Sequence, residues 1–157
     1  MAFTGLIANG ASDATTDVIV KNNAFFPDVS SNQVRQVVRL DGSITNERLL
    51  HEIKNAMLEC NRLLSSLQAK ASILTELNTD TIGGAGDEQG DKEILYFRAV
   101  ASCCAALLLE KYRSYDSSGD GQNRADDVGI SAAEHRRNQR YAIRDLLDTP
   151  RMKVMLL

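Results

Sequence analysis

The chain contains no Trp, and Phe and Tyr together bring aromatics to only 5%. Aliphatic packing must therefore carry any core. Excess positive charge is also missing: formal net charge is -3 and the pI is near 5.4. That argues against general binding to nucleic acid or to a membrane surface, both of which favour a strongly basic face. No apolar run approaches the roughly 20 residues needed to cross a bilayer. The opening "MAFTGLIANG" lacks a basic start and a long apolar stretch, so no signal peptide is expected. Cysteine is sparse and odd in number: Cys60, Cys103 and Cys104. The adjacent pair cannot form an unstrained disulfide with each other. Reduced, buried thiols of a cytosolic protein are the expectation. His51 and His135 are the two histidines, and neither has a Cys or His at metal-ligand spacing. No internal repeat is visible.

What is present suffices for one compact domain. The chain has 157 residues, 43% of them hydrophobic, enough to offset the entropy of folding. Residues 1–17 are small and polar and read as a flexible arm. "VIV" at 18–20 predicts a short strand or extended segment. Pro27 ends the extended part, and Ser30 or Ser31 caps a short helix through Val38, with Val34, Val37 and Val38 as its apolar face. Asp41-Gly42 turns the chain. Thr45 is a good N-cap for a long second helix. Its stripe is Leu49, Ile53, Ala56, Cys60, Leu63 and Leu67, widened by Leu50, Met57 and Leu64. The spacing carries it to about Ala69, with a continuation toward Leu77. Residues 78–91 then read as a loop with four Gly and four acids.

A third helix begins near Asp91, with a stripe of Ile94, Phe97, Ala101, Cys104, Leu108 and Tyr112. It is apolar nearly all round between Ala99 and Leu109, which predicts the central, most buried helix. A loop to about Gly129 follows. Ser131 and Glu134 form a capping box for a fourth helix, stopped by Pro150. The apolar face of that helix is thin: Ala133, Ala142, Ile143, Leu146 and Leu147. The fold class expected is all-α, a small bundle of about four helices with extended N- and C-terminal arms. The divisions are an arm at 1–17, a helical domain at 18–149 and a tail at 150–157.

Candidate chemistry is thin. "YRSYDSSGDGQNRADD" places Asp116, Ser118, Asp120, Gly121 and Asp127 at positions 1, 3, 5, 6 and 12 of a calcium loop. It departs from that pattern at three points. Asp127 is one carbon shorter than the usual bidentate Glu, Ser118 is a weak ligand, and Asn123 stands where an apolar residue pairs two loops. A polar surface loop accounts for the same residues. "GGAGDEQGDK" lacks the Lys that a phosphate loop carries directly after its last Gly, and its acids repel phosphate. Cys103 and Cys104 sit in the apolar middle of a helix, as core thiols do. No catalytic residues, cofactor or metal ligands are assigned, and the chain is not read as an enzyme.

Two features suggest contact with other proteins. Arg136, Arg140 and Arg144 form a basic stripe at i, i+4 and i+8. It is either a solvated face pairing with Glu134, Asp145 and Asp148 or a docking face for an acidic partner or a neighbouring copy. The tail Arg151, Met152, Lys153, Val154, Met155, Leu156 and Leu157 is apolar and basic. It either folds back on its own core or adds to another protein's surface or sheet edge.

An ordered set of segments now carries a resemblance: "FFPDVSSNQVRQVVRLDGSITNERLLHEIKNAM", "LYFRAV", "EKYRSYDSSGDGQNRAD" and "RRNQRYAIRDLLDTPRMKVMLL". Together they resemble the phage head-completion (head-stabilisation) proteins of the gpL type. The likeness covers most of residues 18–157, and neither the arm nor the Gly-rich loop 83–90 contributes to it. It implies a small α-helical adaptor of the head-to-tail connector. Such adaptors assemble as a ring, typically dodecameric, beneath the portal after DNA packaging. They complete and stabilise the filled head and dock the neck and tail. The implied partners are the portal protein, neighbouring copies and neck or tail-terminator proteins, with no membrane. DNA passes through the lumen without sequence-specific binding. The implied location is the virion neck, and the host cytoplasm during assembly. Within that reading, Arg151 to Leu157 docks on the portal. The competing readings are a calcium-binding regulator and a cellular helical protein-interaction domain with its tail folded home.

Overall fold

The structure is a computed structural model, and it describes residues 16–38, 44–113 and 131–150. Four α-helices lie among them: α1 (Ser31–Val38), α2 (Asn46–Leu63), α3 (Asp91–Arg113) and α4 (Ala132–Leu146). Two small antiparallel sheets accompany them. β1 (Ile19–Val20) pairs with β2 (Val29–Ser30), and β3 (Thr81–Ile82) pairs with β4 (Gln89–Gly90). The all-α expectation holds, with these two short ribbons added.

α1 starts where Ser30 Oγ accepts the Gln33 N–H at 3.2 Å, an N-cap that quiets an orphan donor. Asp17 adds to it from outside: its Oδ1 accepts the Asn32 N–H at 3.1 Å, and both oxygens accept from Ser30 Oγ. The last residue of the expected arm is therefore tied to the first turn of α1. Only part of the predicted apolar face of α1 is inside. Val34 is fully buried and Val38 packs on the core, but Val37 is 64% exposed. One residue before Val38 is 100° round the helix, which carries Val37 out to solvent.

Thr45 caps α2 as expected, its side chain accepting from the Arg48 N–H. The stripe is buried at Leu49, Ile53, Ala56, Met57 and Cys60. The α-geometry stops at Leu63, short of Ala69, and the chain tightens into 3₁₀ turns at Ser65–Ala69 and Leu74–Leu77. A three-residue period lines Leu64 up with Leu67, and Leu74 with Leu77. Leu64, Leu67 and Leu74 are buried, and Leu63 is left 46% exposed.

The expected loop at 78–91 contains the β3–β4 hairpin, too short to show an alternating pattern. Gly83 has φ +138°, and a Cβ there would fall 2.1 Å from the Asp87 carbonyl oxygen. The roots of the hairpin are held to the start of α3. Asp91 Oδ1 accepts the Thr79 N–H at 2.9 Å, and Asn78 Oδ1 accepts the Lys92 N–H at 3.1 Å. Two N-terminal donors of α3 are thus satisfied from upstream, the Asp91 N–H by the Asp80 carbonyl and the Lys92 N–H by Asn78 Oδ1.

α3 is the central helix, as its composition predicts. Tyr96, Ala99, Val100, Cys103, Cys104, Ala105 and Ala106 have no exposed surface. It packs on α2 and α4 and touches α1. α4 opens with the predicted capping box between Ser131 and Glu134. It closes in a Schellman motif: the Asp148 N–H reaches the Asp145 carbonyl at 3.2 Å and the Thr149 N–H reaches the Arg144 carbonyl at 2.9 Å. Asp148 takes φ 53°, so the turn of the backbone, rather than Pro150, ends the helix at Leu146. Ala133, expected on the apolar face, is exposed, and Gln139 is buried in its place.

Candidate interaction surfaces

α4 has little apolar surface, so polar bonds fix it to the bundle. Arg136 points inward. Its Nε and Nη2 donate to the Glu110 carboxylate on α3, each at 3.0 Å, and its Nη1 donates to Glu59 on α2 at 3.0 Å. Gln139 lies one turn on, 3% exposed, and its Nε2 donates to Glu59 at 2.8 Å. One guanidinium therefore bridges three helices, which its planar fork suits. The thiols lie beside this network, with Arg136 Nη1 3.7 Å from Cys103 Sγ and Gln139 Nε2 4.0 Å from Cys60 Sγ.

The charges of this network follow their surroundings. Burial pushes the Glu59 carboxyl up, but the Gln139 hydrogen bond and the charge of Arg136 outweigh it and leave it below the ordinary range. Hydrogen bonding to Glu110 holds Arg136 in its charged form despite burial. The Cys60 thiol is driven far up by hydrogen bonding to Cys103 and by burial. Burial pushes Cys104 up to about 12. All three cysteines are free and buried, which fits core thiols rather than nucleophiles.

A second polar clamp joins the end of α4 to the start of α3. Lys92 is 5% exposed, and its Nζ donates to Asp148 Oδ1 at 2.8 Å. This fixes the point from which the chain runs into the tail. A third lies on α2, where buried Glu52 pairs with Lys111 and accepts from Asn55 at 3.2 Å. A fourth holds the 22–28 segment. Asn22, Asn61 and Tyr96 form a closed ring of hydrogen bonds at 2.7–2.8 Å, and Phe26 stacks on the Tyr96 ring at 5.0 Å.

The surface between these clamps is open. A shallow groove of about 300 Å³ runs between α1 and the start of α3, lined in part by Pro27, Val37, Glu93 and Phe97. Among the described residues no cluster of three or more His, Cys, Asp or Glu could hold a metal ion. No described helix is long and apolar enough to cross a membrane.

The predicted Arg stripe splits. Arg136 is drawn into the bundle, whereas Arg140 and Arg144 are exposed on the outer side of α4. The acidic partners of Arg136 are also different. Arg136 meets Glu59 and Glu110 from other helices, Arg137 meets Glu134 at 3.5 Å, and Asp148 meets Lys92. Sequence reasoning missed Glu59, Glu110, Gln139 and Lys92. One signal was available: Glu52 and Glu59 each sit beside a stripe residue of α2, where a carboxylate needs a partner. The tail 151–157 and the calcium-like positions Asp116, Ser118, Asp120, Gly121 and Asp127 lie outside the described residues.

Comparison with known proteins gives these surfaces a setting. A family model described as "Phage head completion protein (GPL)" matches residues 20–157. A head completion/stabilization protein of Escherichia phage P2 is 32% identical over 143 residues, covering 88% of this chain and 82% of the relative. No solved structure matches. A chain whose described residues form a bundle of four helices stapled by ion pairs, matched along nearly its whole length, thus belongs to the phage head completion protein family.

Proposed function

We propose that this chain is an adaptor of the phage head-to-tail connector. Copies of it form a ring, a dodecamer in the family-based reading, beneath the portal of the DNA-filled head. The ring completes and stabilises the head and offers the neck and tail-terminator proteins a docking surface. DNA passes through its lumen without sequence-specific contacts. The chain acts as a structural protein of the virion, assembled in the host cytoplasm, and it works by binding rather than by catalysis.

The single observation that carries this reading is the family match through residue 157. It includes the tail as well as the bundle. The tail Arg151–Leu157 begins just past the Lys92–Asp148 clamp, so a rigid body holds its root. A short apolar and basic segment on a fixed root suits docking into the portal, because the root itself needs no ordering on binding. Arg140 and Arg144 give the outer side of α4 a basic face for a neighbouring copy or an acidic partner.

The test removes residues 151–157. The truncated chain is expected to keep its far-UV circular dichroism and its melting temperature and to lose head completion in a complementation assay. A truncated chain that still completes heads overturns the docking role. Native mass spectrometry of what a tagged copy retrieves from infected cells tests the ring. Several copies together with portal protein support it, and retrieval of single copies free of portal protein overturns it.

A further inference from the structure

Among the described residues three large apolar side chains stand furthest into solvent: Leu58 at 69%, Val37 at 64% and Ile82 at 60%. Single exposed apolar residues are ordinary on a protein surface. Two of these differ from the third in the charge around them. Leu58 lies on the outer face of α2 with Lys54 four residues before it and Arg62 four residues after, all exposed. That spacing puts the three in one row, an apolar centre between two cations. Ile82 lies on β3, and exposed Asp87 and Glu88 follow it across the turn. This is an apolar centre beside two anions. None of the four charged side chains makes an ion pair among the described residues. Val37, by contrast, shares its groove with uncharged Gln33 and Gln36 and with Glu93, whose carboxylate is already engaged by Asn78 and the Gly90 N–H.

We infer that the Lys54–Leu58–Arg62 row of one copy receives the β3–β4 hairpin of the next, with Ile82 against Leu58 and Asp87 and Glu88 against the cations. The inference rests on the ring reading above and names the surfaces that neighbours use. Charge complementarity selects the occupant. Two α2 rows repel each other, and so do two hairpins, so a symmetric pairing through either face is disfavoured. One row against one hairpin is a heterologous contact, which closes into a ring when the rotation per copy allows. Rim charges of this kind set register and the rate of encounter more than affinity. Subunits joined in this way are weakly associated when free and lock together when a template gathers them.

Charge exchange tests the contact. Lys54→Glu with Arg62→Glu reverses one side, Asp87→Lys with Glu88→Lys reverses the other, and the four together restore complementarity. The full-length chains are supplied to a phage defective in its own copy, and the number of copies per filled head is measured by quantitative mass spectrometry. Each reversed pair is expected to lower that number at least tenfold, and the fourfold variant to recover it. Native incorporation by either reversed pair overturns the contact, as does failure of the fourfold variant to recover. A second measurement uses Leu58→Cys with Ile82→Cys, whose oxidation in assembled heads is expected to join copies into a ladder. The native thiols are fully buried and give no background. Heads with several copies and no such ladder overturn this contact alone, whereas heads with a single copy overturn the ring reading with it.

Discussion

α3 is gripped on two sides by different means. Toward α2 it meets a deep aliphatic face of Leu49, Ile53, Ala56 and Met57, whose burial is non-directional and individually strong. Toward α4, its most extensive helix contact, it meets the smaller apolar set Ala142, Ile143 and Leu146, and the join is completed by Arg136 with Glu110 and by Lys92 with Asp148. Aliphatic packing fixes that α2 and α3 touch. The ion pairs fix where α4 lies along them, because a bidentate guanidinium tolerates little slip. The outer helix is thus packed closely on α3 and set in place along it by its ion pairs.

Five substitutions and one truncation probe that contrast. The largest effect is expected from Ile53→Ala on the aliphatic side, a loss of about 2–5 kcal/mol from a fully buried site, read by urea unfolding. On the polar side Arg136→Met leaves Glu110 without its partner and Glu59 with Gln139 alone. It should cost about 1–2 kcal/mol, below the cost of breaking a wholly buried pair because the site is partly in water. That cost depends on pH with a definite sign. The folded-state Glu59 lies below its ordinary 4.5, so its contribution is present above that pH and is lost as pH falls through the folded value. Melting curves of native and Arg136→Met chains should therefore draw together as pH falls below 4.5. An Arg136→Met chain that melts like the native one at pH 7 would show that packing alone seats α4.

The Lys92–Asp148 clamp predicts an asymmetry. Asp148→Asn strands a buried ammonium and should cost about 1 kcal/mol, whereas Lys92→Met replaces the charge by an apolar stem and should be near neutral. Equal losses would contradict the burial of Lys92. Leu58→Ser is expected to change stability least, within about 0.5 kcal/mol, because the side chain is mostly in water. Removal of residues 151–157 should leave the melting temperature likewise unmoved while abolishing head completion.

The aliphatic side was legible in the sequence and the polar side was not. Leu49, Ile53, Ala56 and Cys60 announce a buried stripe by spacing alone, and the all-apolar run of α3 announces its central place. The N-cap at Thr45 and the capping box at Ser131 are local and were equally readable. The bond from Arg136 to Glu59 joins residues 77 positions apart, and no periodicity within one helix reports it. The same holds for Asn78, which caps α3 from 14 residues away. Where α-geometry gave way to 3₁₀ turns after Leu63, the period changed from 3.6 to 3, and a helical reading carried on past the true end. The basic stripe was visible as a pattern, but the inward turn of Arg136 depends on acids that only the tertiary fold brings near.

The hydrogen-bonded ring at Tyr96 gives the protein a built-in optical probe. With no Trp in the chain, the near-ultraviolet spectrum belongs to four Tyr and four Phe. Tyr96 is fully buried, stacked on Phe26 and bonded to Asn22 and Asn61, so its phenol sits in a fixed and strongly asymmetric environment. A loss of tyrosine dichroism while the far-ultraviolet helical signal persists would report release of the 22–28 segment from an intact bundle.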